Sequence, residues 1–317
     1  MGLLEVENLS LQYETRNADI RALSNVSFAV NPGERLGVVG ESGSGKSSLG
    51  SAILGLVSFP GKIKSGRVLF QGKDIALMND KELEKMRGEG ATMIFQDSRA
   101  SLNPLITAEE HFRDVFRYRF GKESKQASRE KAVALLKDVG ITDPEERLKQ
   151  YAHQLSGGMA QRVLIALALA QSPKVIICDE ITTALDVTLQ VQILDLLKEL
   201  SEKKETTFIL ISHDIGVISY FSERVMVMYA GMVVEEGATS EVLSHPYHPY
   251  TKALIASLPT GEKEMLNAIE GEPPSLSQEF TMCPFAPRCS RREDRCFSEK
   301  PPIRVRDNQK IACFFDI

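Results

Sequence analysis

One stretch constrains this chain more than any other: Gly40-Glu41-Ser42-Gly43-Ser44-Gly45-Lys46-Ser47. It fits G-x-x-x-x-G-K-[ST], a loop whose glycines let backbone N–H groups wrap phosphate oxygens. A short apolar run, Arg35 to Val39, precedes it and reads as a buried parallel strand. A helical stretch over Lys46 to Leu56 follows it. That strand–loop–helix context separates a phosphate loop from an ordinary glycine-rich turn, and the helix N-terminus adds partial positive charge at the same point. The pattern puts Ser42, Gly43, Ser44, Gly45, Lys46, Ser47 and Ser48 around a nucleotide. Lys46 suits the β/γ-phosphates and the Ser47 hydroxyl suits Mg²⁺.

The rest of the chain supplies acids and polar groups at further strand ends. Lys174 to Glu180 is an apolar strand closing on Asp179 and Glu180. Acids at the carboxyl end of a parallel strand face the ligand crevice. Asp179 suits the Mg²⁺ shell and Glu180 suits a base that polarises an attacking water. Alone, such a pair reads equally well as two solvated acids. His213 ends the next apolar strand and is assigned to sensing the γ-phosphate. Gln96 follows the strand Thr92 to Phe95 and could reach Mg²⁺ or the attacking water. Without the phosphate loop, these two would be a structural histidine and a polar loop residue. Cys178, inside its strand, reads as a small core residue. Leu155-Ser156-Gly157-Gly158-Met159-Ala160-Gln161 sits before another helix and makes a second anion site. By itself Ser-Gly-Gly is a common flexible turn.

Strands alternate with helices, which means an α/β fold with a mostly parallel sheet. Strands are expected over Leu3 to Tyr13, Val26 to Val30, Arg67 to Phe70, Val175 to Cys178, Thr207 to Ile211 and, as a pair bent at Ala230-Gly231, Arg224 to Val234. Between about 97 and 171 the periodicity turns helical, as in Lys131 to Val139, and this reads as an insertion into the α/β core. Helix is expected again over Val187 to Leu200. No apolar run approaches the ~18 residues of a membrane span, and the N-terminus carries no basic leader region. The net charge of −5 argues against nucleic acid as the main partner. There is no internal repeat, so the chain carries one such unit.

Taken together, the loop, Gln96, Leu155 to Gln161, Asp179-Glu180, Ala184-Leu185-Asp186 and His213 resemble, in this order, the nucleotide-binding subunit of an ABC transporter. The resemblance covers residues 3 to about 240. It implies a P-loop NTPase (RecA-like) core with an antiparallel β subdomain and an inserted helical subdomain, and two cassettes sandwiching two ATP molecules head-to-tail. Ser156, Gly157 and Gly158 would then contact the γ-phosphate held by a partner chain. Asp186 would belong to a loop at the dimer seam, and Tyr13 would stack on adenine, where the plainer reading is a strand-edge tyrosine. Ile181-Thr182 departs from the Pro-Thr usual in the family, which alters loop stiffness rather than a ligand.

After Gly237 the core pattern ends. His245-Pro246-Tyr247-His248-Pro249-Tyr250, then Gly271-Glu272-Pro273-Pro274, then Cys283 to Cys289 resemble the tail of bacterial and archaeal dipeptide/oligopeptide and nickel importers. The histidine stretch reads as an aromatic loop packed on the core rather than a metal site. Of the five cysteines, Cys283, Cys289, Cys296 and Cys313 fall in this tail, spaced C-x5-C-x6-C-x16-C. That spacing lacks the C-x2-C knuckle of common zinc sites and differs from ferredoxin spacings. Four thiolates allow Zn²⁺ or an iron–sulfur cluster, and four reduced structural cysteines remain the plain reading. The resemblance favours a [4Fe–4S] cluster that staples the tail.

The expected division is a nucleotide-binding domain over 1–240 and a C-terminal cysteine-containing extension over 241–317. The expected function is an ATP-hydrolysing subunit at the cytoplasmic face of the membrane that powers uptake of dipeptides or oligopeptides. Nickel or another small solute is the alternative cargo. A soluble ABC ATPase acting on nucleic acid or ribosomes is the alternative class, disfavoured by the single cassette and the acidic balance. The implied partners are a second, non-identical ATPase chain, two membrane permease subunits contacted around Ser101 to Glu110, and an extracellular or periplasmic substrate-binding protein.

Overall fold

The computed structural model describes residues 2–315 except Asn17, Arg99, Ala184 and 259–268. The chain opens with β1 (Leu4–Glu14), β2 (Asp19–Val30), β3 (Arg35–Val39), α1 (Lys46–Ile53), β4 (Gly61–Phe70) and β5 (Lys73–Asp74). The middle contains α2 (Asp80–Lys85), β6 (Ala91–Ile94), α3 (Ala108–Phe120), α4 (Lys125–Asp138), α5 (Pro144–Arg147), α6 (Gly157–Leu169), β7 (Val175–Asp179) and α7 (Val187–Lys204). The strand β8 (Thr207–Ser212) returns the chain to the first region. There α8 (Ile215–Phe221), β9 (Arg224–Tyr229), β10 (Met232–Ala238), α9 (Thr239–Ser244), α10 (Pro249–Ala256), β11 (Ile303–Arg306) and β12 (Gln309–Ala312) follow. The chain forms two compact units, one of residues 1–78 with 210–317 and one of residues 79–209.

The first unit holds an antiparallel sheet in the order β2-β1-β4-β5. Alternation along β1 turns Leu4, Val6, Leu9 and Leu11 inward, opposite Val30 and Leu23 on β2 and Val68 and Phe70 on β4. The period of two that one buried face requires holds on either side of an irregularity between Val6 and Leu9, where Asn8 has φ of 48°. The expected strand at Val26 is only the inner half of β2. The outer half begins on exposed Asp19 and Ile20 and buries Ala22 and Leu23.

The same unit carries strands in the order β11-β12-β10-β9-β3. β3 and β9 run parallel, Val38 beside Met226. Both hairpins turn on two residues of positive φ, Ala230-Gly231 and Asp307-Asn308, the geometry that matches strand twist. β12 pairs with β10 through Glu235↔Ile311 and Glu236↔Lys310. The C-terminal extension is therefore not a loose appendage: its last strands lengthen the sheet of the core.

In the second unit β6 and β7 pair in parallel, Ala91 beside Val175 and Ile94 beside Cys178. The helices α3, α4 and α6 pack on one another around Phe112, Phe116, Ala132, Leu136, Ala160 and Val163, all buried. Thr107 and Glu110 form a capping box that starts α3, and Ser124 caps α4. These caps fix where the helical stretch begins within the span expected from periodicity.

Candidate functional site

In the first unit, the loop from Gly40 runs from the end of β3 into α1. Two glycines are required there for different reasons. Gly45 has φ of 98° and a Cβ would meet the Ala22 carbonyl oxygen at 2.3 Å. At Gly40 a Cβ would meet the Met228 carbonyl oxygen at 2.2 Å. The loop is further held by Gly231 N–H donating to the Ser44 carbonyl at 3.0 Å.

Lys46 is buried. Its ammonium donates to the carbonyls of Gly40 at 2.7 Å and Glu41 at 2.9 Å, which holds the cation against the start of the loop. Ser42, Gly43 and Ser47 are exposed, and Ser44 is buried. Tyr13, near the end of β1, lies 3.5 Å from the Ser48 hydroxyl of α1, so the aromatic ring and the loop's helix are neighbours. His213 is exposed directly after β8. The following Asp214 caps α8 by accepting from Gly216 N–H at 2.7 Å.

In the second unit, Asp179 is the buried last residue of β7. Glu180 follows with φ of 49°, a left-handed backbone that few side-chain-bearing residues adopt. Its carboxylate accepts from the Gln96 amide at 3.1 Å and from the Thr183 hydroxyl at 3.4 Å. Two residues expected to share one chemistry are thus in direct contact.

A cleft of about 630 Å³ is lined by Gln96, Asp97, Gly157, Gln161, Ile181 and Thr183 among others. Ser156 caps α6, accepting from Met159 N–H at 3.3 Å. Gly157 has open space where a Cβ would point, and Gly158 is buried facing Leu189. Asp186 caps α7 by accepting from Leu189 N–H at 3.0 Å. Ala184, in the same expected seam loop, lies outside the described residues.

The tail brings its own set together. None of the cysteines is in a disulfide; Cys289, Cys296 and Cys313 are buried and Cys283 is half-buried. Cys283 N–H donates to the Cys296 carbonyl at 3.0 Å. Burial pushes the Cys283 thiol up to about 11, and proximity to Cys296 and Cys313 adds to it. Burial likewise raises Cys289 and Cys313, each also affected by Cys296. Opposing this, backbone N–H groups point at the sulfurs: Phe285 and Ala286 at Cys283, Arg291 at Cys289, Phe315 and Phe314 at Cys313. Such donors favour the thiolate. Among the described residues, no group of three or more His, Cys, Asp or Glu side chains is placed to hold a metal ion. The thiols are gathered in one buried region without a closed ligand set.

His248 stands at the start of α10. It is buried, caps α10 by accepting from Tyr250 N–H at 3.1 Å, and packs near Phe285, as the aromatic-loop reading expects. Cys178 is fully buried, which keeps its thiol protonated.

Sequence reasoning missed Arg288. Its guanidinium grips Glu41, inside the phosphate loop, through two bonds of 2.6 and 2.9 Å. Nothing in its neighbourhood along the chain announces a partner so distant.

Comparison with known proteins shows the family. The family described as "ABC transporter" matches residues 23–183, and "Oligopeptide/dipeptide transporter, C-terminal region" matches residues 234–296. OppD of Bacillus subtilis (strain 168), an oligopeptide transport ATP-binding protein, is 46% identical over 98% of this chain and 87% of its own length. DppD of Escherichia coli (strain K12), a dipeptide transport ATP-binding protein, is 41% identical over 100% of this chain and 98% of its own. A solved ATP-binding cassette, a dimer in a post-hydrolysis state bound to ADP and Pi, superposes with a TM-score of 0.67. It is 32% identical and covers 74% of this chain and 98% of that one. Among the described residues, no helix is long and apolar enough to cross a membrane. With half its length matched by the cassette family, and near-complete relatives above 40% identity, the chain belongs to the ABC transporter ATPases, in the group that carries the oligopeptide/dipeptide C-terminal region.

Proposed function

We propose that this chain is an ATPase subunit of an importer for dipeptides or oligopeptides, acting at the cytoplasmic face of a membrane with permease subunits, a second ATPase chain and a substrate-binding protein. The hydrogen bond between Gln96 and Glu180 carries the catalytic part of the reading. A carboxylate oriented by an amide donor suits a base for the attacking water.

In this reading the loop from Ser42 to Ser48 cradles the triphosphate, with Lys46 on the β/γ-phosphates and Ser47, Asp179 and Gln96 around Mg²⁺. His213 senses the γ-phosphate and Tyr13 stacks on the adenine. Ser156, Gly157 and Gly158, with Asp186, serve the ATP bound on the other cassette. Residues 1–240 form the cassette, with about 97–171 as its helical insertion, and 241–317 form the extension. Leu105, 82% exposed within the Ser101 to Glu110 stretch, suits contact with a permease.

The test is ATP turnover in the complex assembled with its permeases. Glu180→Gln is expected to keep ATP binding and lower turnover by about 10²-fold or more. Unchanged turnover would remove the catalytic assignment. Co-purification of the tagged chain with ribosomes or DNA, rather than with membrane subunits, would remove the importer.

We further infer that Cys283, Cys289, Cys296 and Cys313 hold a metal group, a [4Fe–4S] cluster by resemblance, with Zn²⁺ as the alternative. Four undisulfided thiols, their burial and the inward-pointing N–H groups support it. When bound, the group would supply metal–thiolate bonds that tie the tail together. Protein purified without oxygen should contain iron and absorb in the visible. Colourless protein with zinc and no iron would discard the cluster.

A further inference from the structure

The contacts of Arg288 converge on one point. Its side chain is 4% exposed, and it forms a two-bond fork with the Glu41 carboxylate, itself 25% exposed. The same guanidinium donates to the Tyr229 hydroxyl at 3.2 Å and to the carbonyls of Ile269 and Glu270 at 3.2 and 3.0 Å. The backbone of Glu41 is held from the same side, its N–H donating to the Tyr250 hydroxyl at 2.8 Å. Tyr229, Tyr250 and Phe285 form one aromatic cluster, with ring centroids 4.6 to 5.4 Å apart. Phe285 and Arg288 both lie in the short stretch between Cys283 and Cys289. Side chain and backbone of the second loop residue are therefore both fixed by the C-terminal extension.

A tail needing only an anchor would have enough in β12 and the aromatic cluster. Burying a guanidinium is costly unless its partner is worth neutralising. That partner is a carboxylate within a loop read as the triphosphate cradle, where a free negative charge would repel the ligand. We propose that Arg288 is a positioning residue for the nucleotide reaction. It neutralises and orients Glu41 so that the phosphate loop accepts ATP, and it makes the cysteine-bearing extension a working part of the ATP site. It acts through Glu41 and not on the phosphates. The proposal rests on the reading of Gly40 to Ser47 as the ATP loop.

The test is ATP affinity of the full chain, measured with a fluorescent ATP analogue, with circular dichroism as the check of folding. Arg288→Gln is expected to weaken binding about tenfold, the size of a lost charge-assisted pair. The double variant Arg288→Gln/Glu41→Gln should recover to within about threefold of the original, because the stranded carboxylate is gone. A role confined to folding the tail would show no such rescue. Should Arg288→Gln fail to fold, Arg288→Lys keeps the charge without the planar fork and should weaken binding about threefold. Unchanged affinity in a folded Arg288 variant, or loss that Glu41→Gln does not rescue, overturns the proposal. Failure of the underlying reading looks different: the original chain would not bind the analogue, or Lys46→Ala would bind it equally well.

Discussion

Glu180 carries its carboxylate on a left-handed backbone, φ 49°, a conformation that costs a residue with a side chain about 1–3 kcal/mol. The neighbouring Gln96 and Thr183 bonds hold it there, next to the end of β7. If Glu180 is the base proposed above, function and stability are opposed at one position. Glu180→Gly should abolish turnover while leaving the thermal midpoint unchanged or raising it by the equivalent of about 1 kcal/mol. A calorimetric scan beside a phosphate-release assay checks both halves, and a marked fall in midpoint would contradict the account. The identity of Glu180 was legible in the sequence from the apolar run before it. Its strain was not, because backbone conformation at a strand end depends on what the next loop packs against. Arg288 was illegible for a simpler reason: its partner is 247 residues away, and no local pattern encodes such a distance.

At the scale of elements, the phosphate loop, β3 and the start of α1 could be read off almost to the residue, since glycine, lysine and a short apolar strand leave few alternatives. Helix α1 stops at Ile53 rather than continuing to Leu56, because Gly55 turns left-handed at φ of 61° and the N–H groups of Gly55 and Leu56 fold back onto the carbonyls of Ala52 and Ser51. The strands β2 and β4 extend beyond the expected spans, because the outer part of β4 is mostly exposed and the alternation of β2 is broken at Asn25, where φ is 54°. α6 illustrates a double duty. Ser156 caps it through the Met159 N–H and is also the serine read as facing a partner's ATP. The two roles separate by substitution. Ser156→Ala should cost about 1 kcal/mol of stability and also lower turnover. Ser156→Asp keeps the cap but brings a negative charge towards phosphate, so turnover should fall with little change in stability. Denaturant midpoints and ATPase rates measured on the pair decide it, and equal turnover in Ser156→Asp and the unaltered protein would deny Ser156 a nucleotide role.

Over the whole molecule, the extension is the part least legible beforehand. It reads as an appended tail, yet β12 extends the core sheet and His248 is buried against Glu235 of β10 and Phe285. Burial depresses His248 from 6.5 to about 3. The unfolded chain therefore binds a proton that the folded chain refuses between these two values, and stability is lost as pH falls through that window. From pH 6.5 to 5 the loss is about 2 kcal/mol. Buried Glu235, whose N–H donors come from Tyr247 and His248, is shifted upward by burial. It contributes the opposite slope above its unfolded value of 4.5, so the comparison between variants isolates the histidine. His248→Asn, which retains an oxygen for the helix cap, should flatten the fall of the thermal midpoint between pH 6.5 and 5. An unchanged slope would show that another group sets it.

The grip of Arg288 on Glu41 also sets an order of events during synthesis. The loop near residue 40 leaves the ribosome early, but the arginine that completes its setting follows 247 residues later. At ~5–20 residues per second, that is roughly 12 to 50 s. For that interval the nascent chain displays a phosphate loop with an uncompensated carboxylate, poorly suited to capture cellular ATP. The loop reaches its full affinity only once the segment around Arg288 has folded, so a product terminated before it should bind ATP about tenfold more weakly than the full chain.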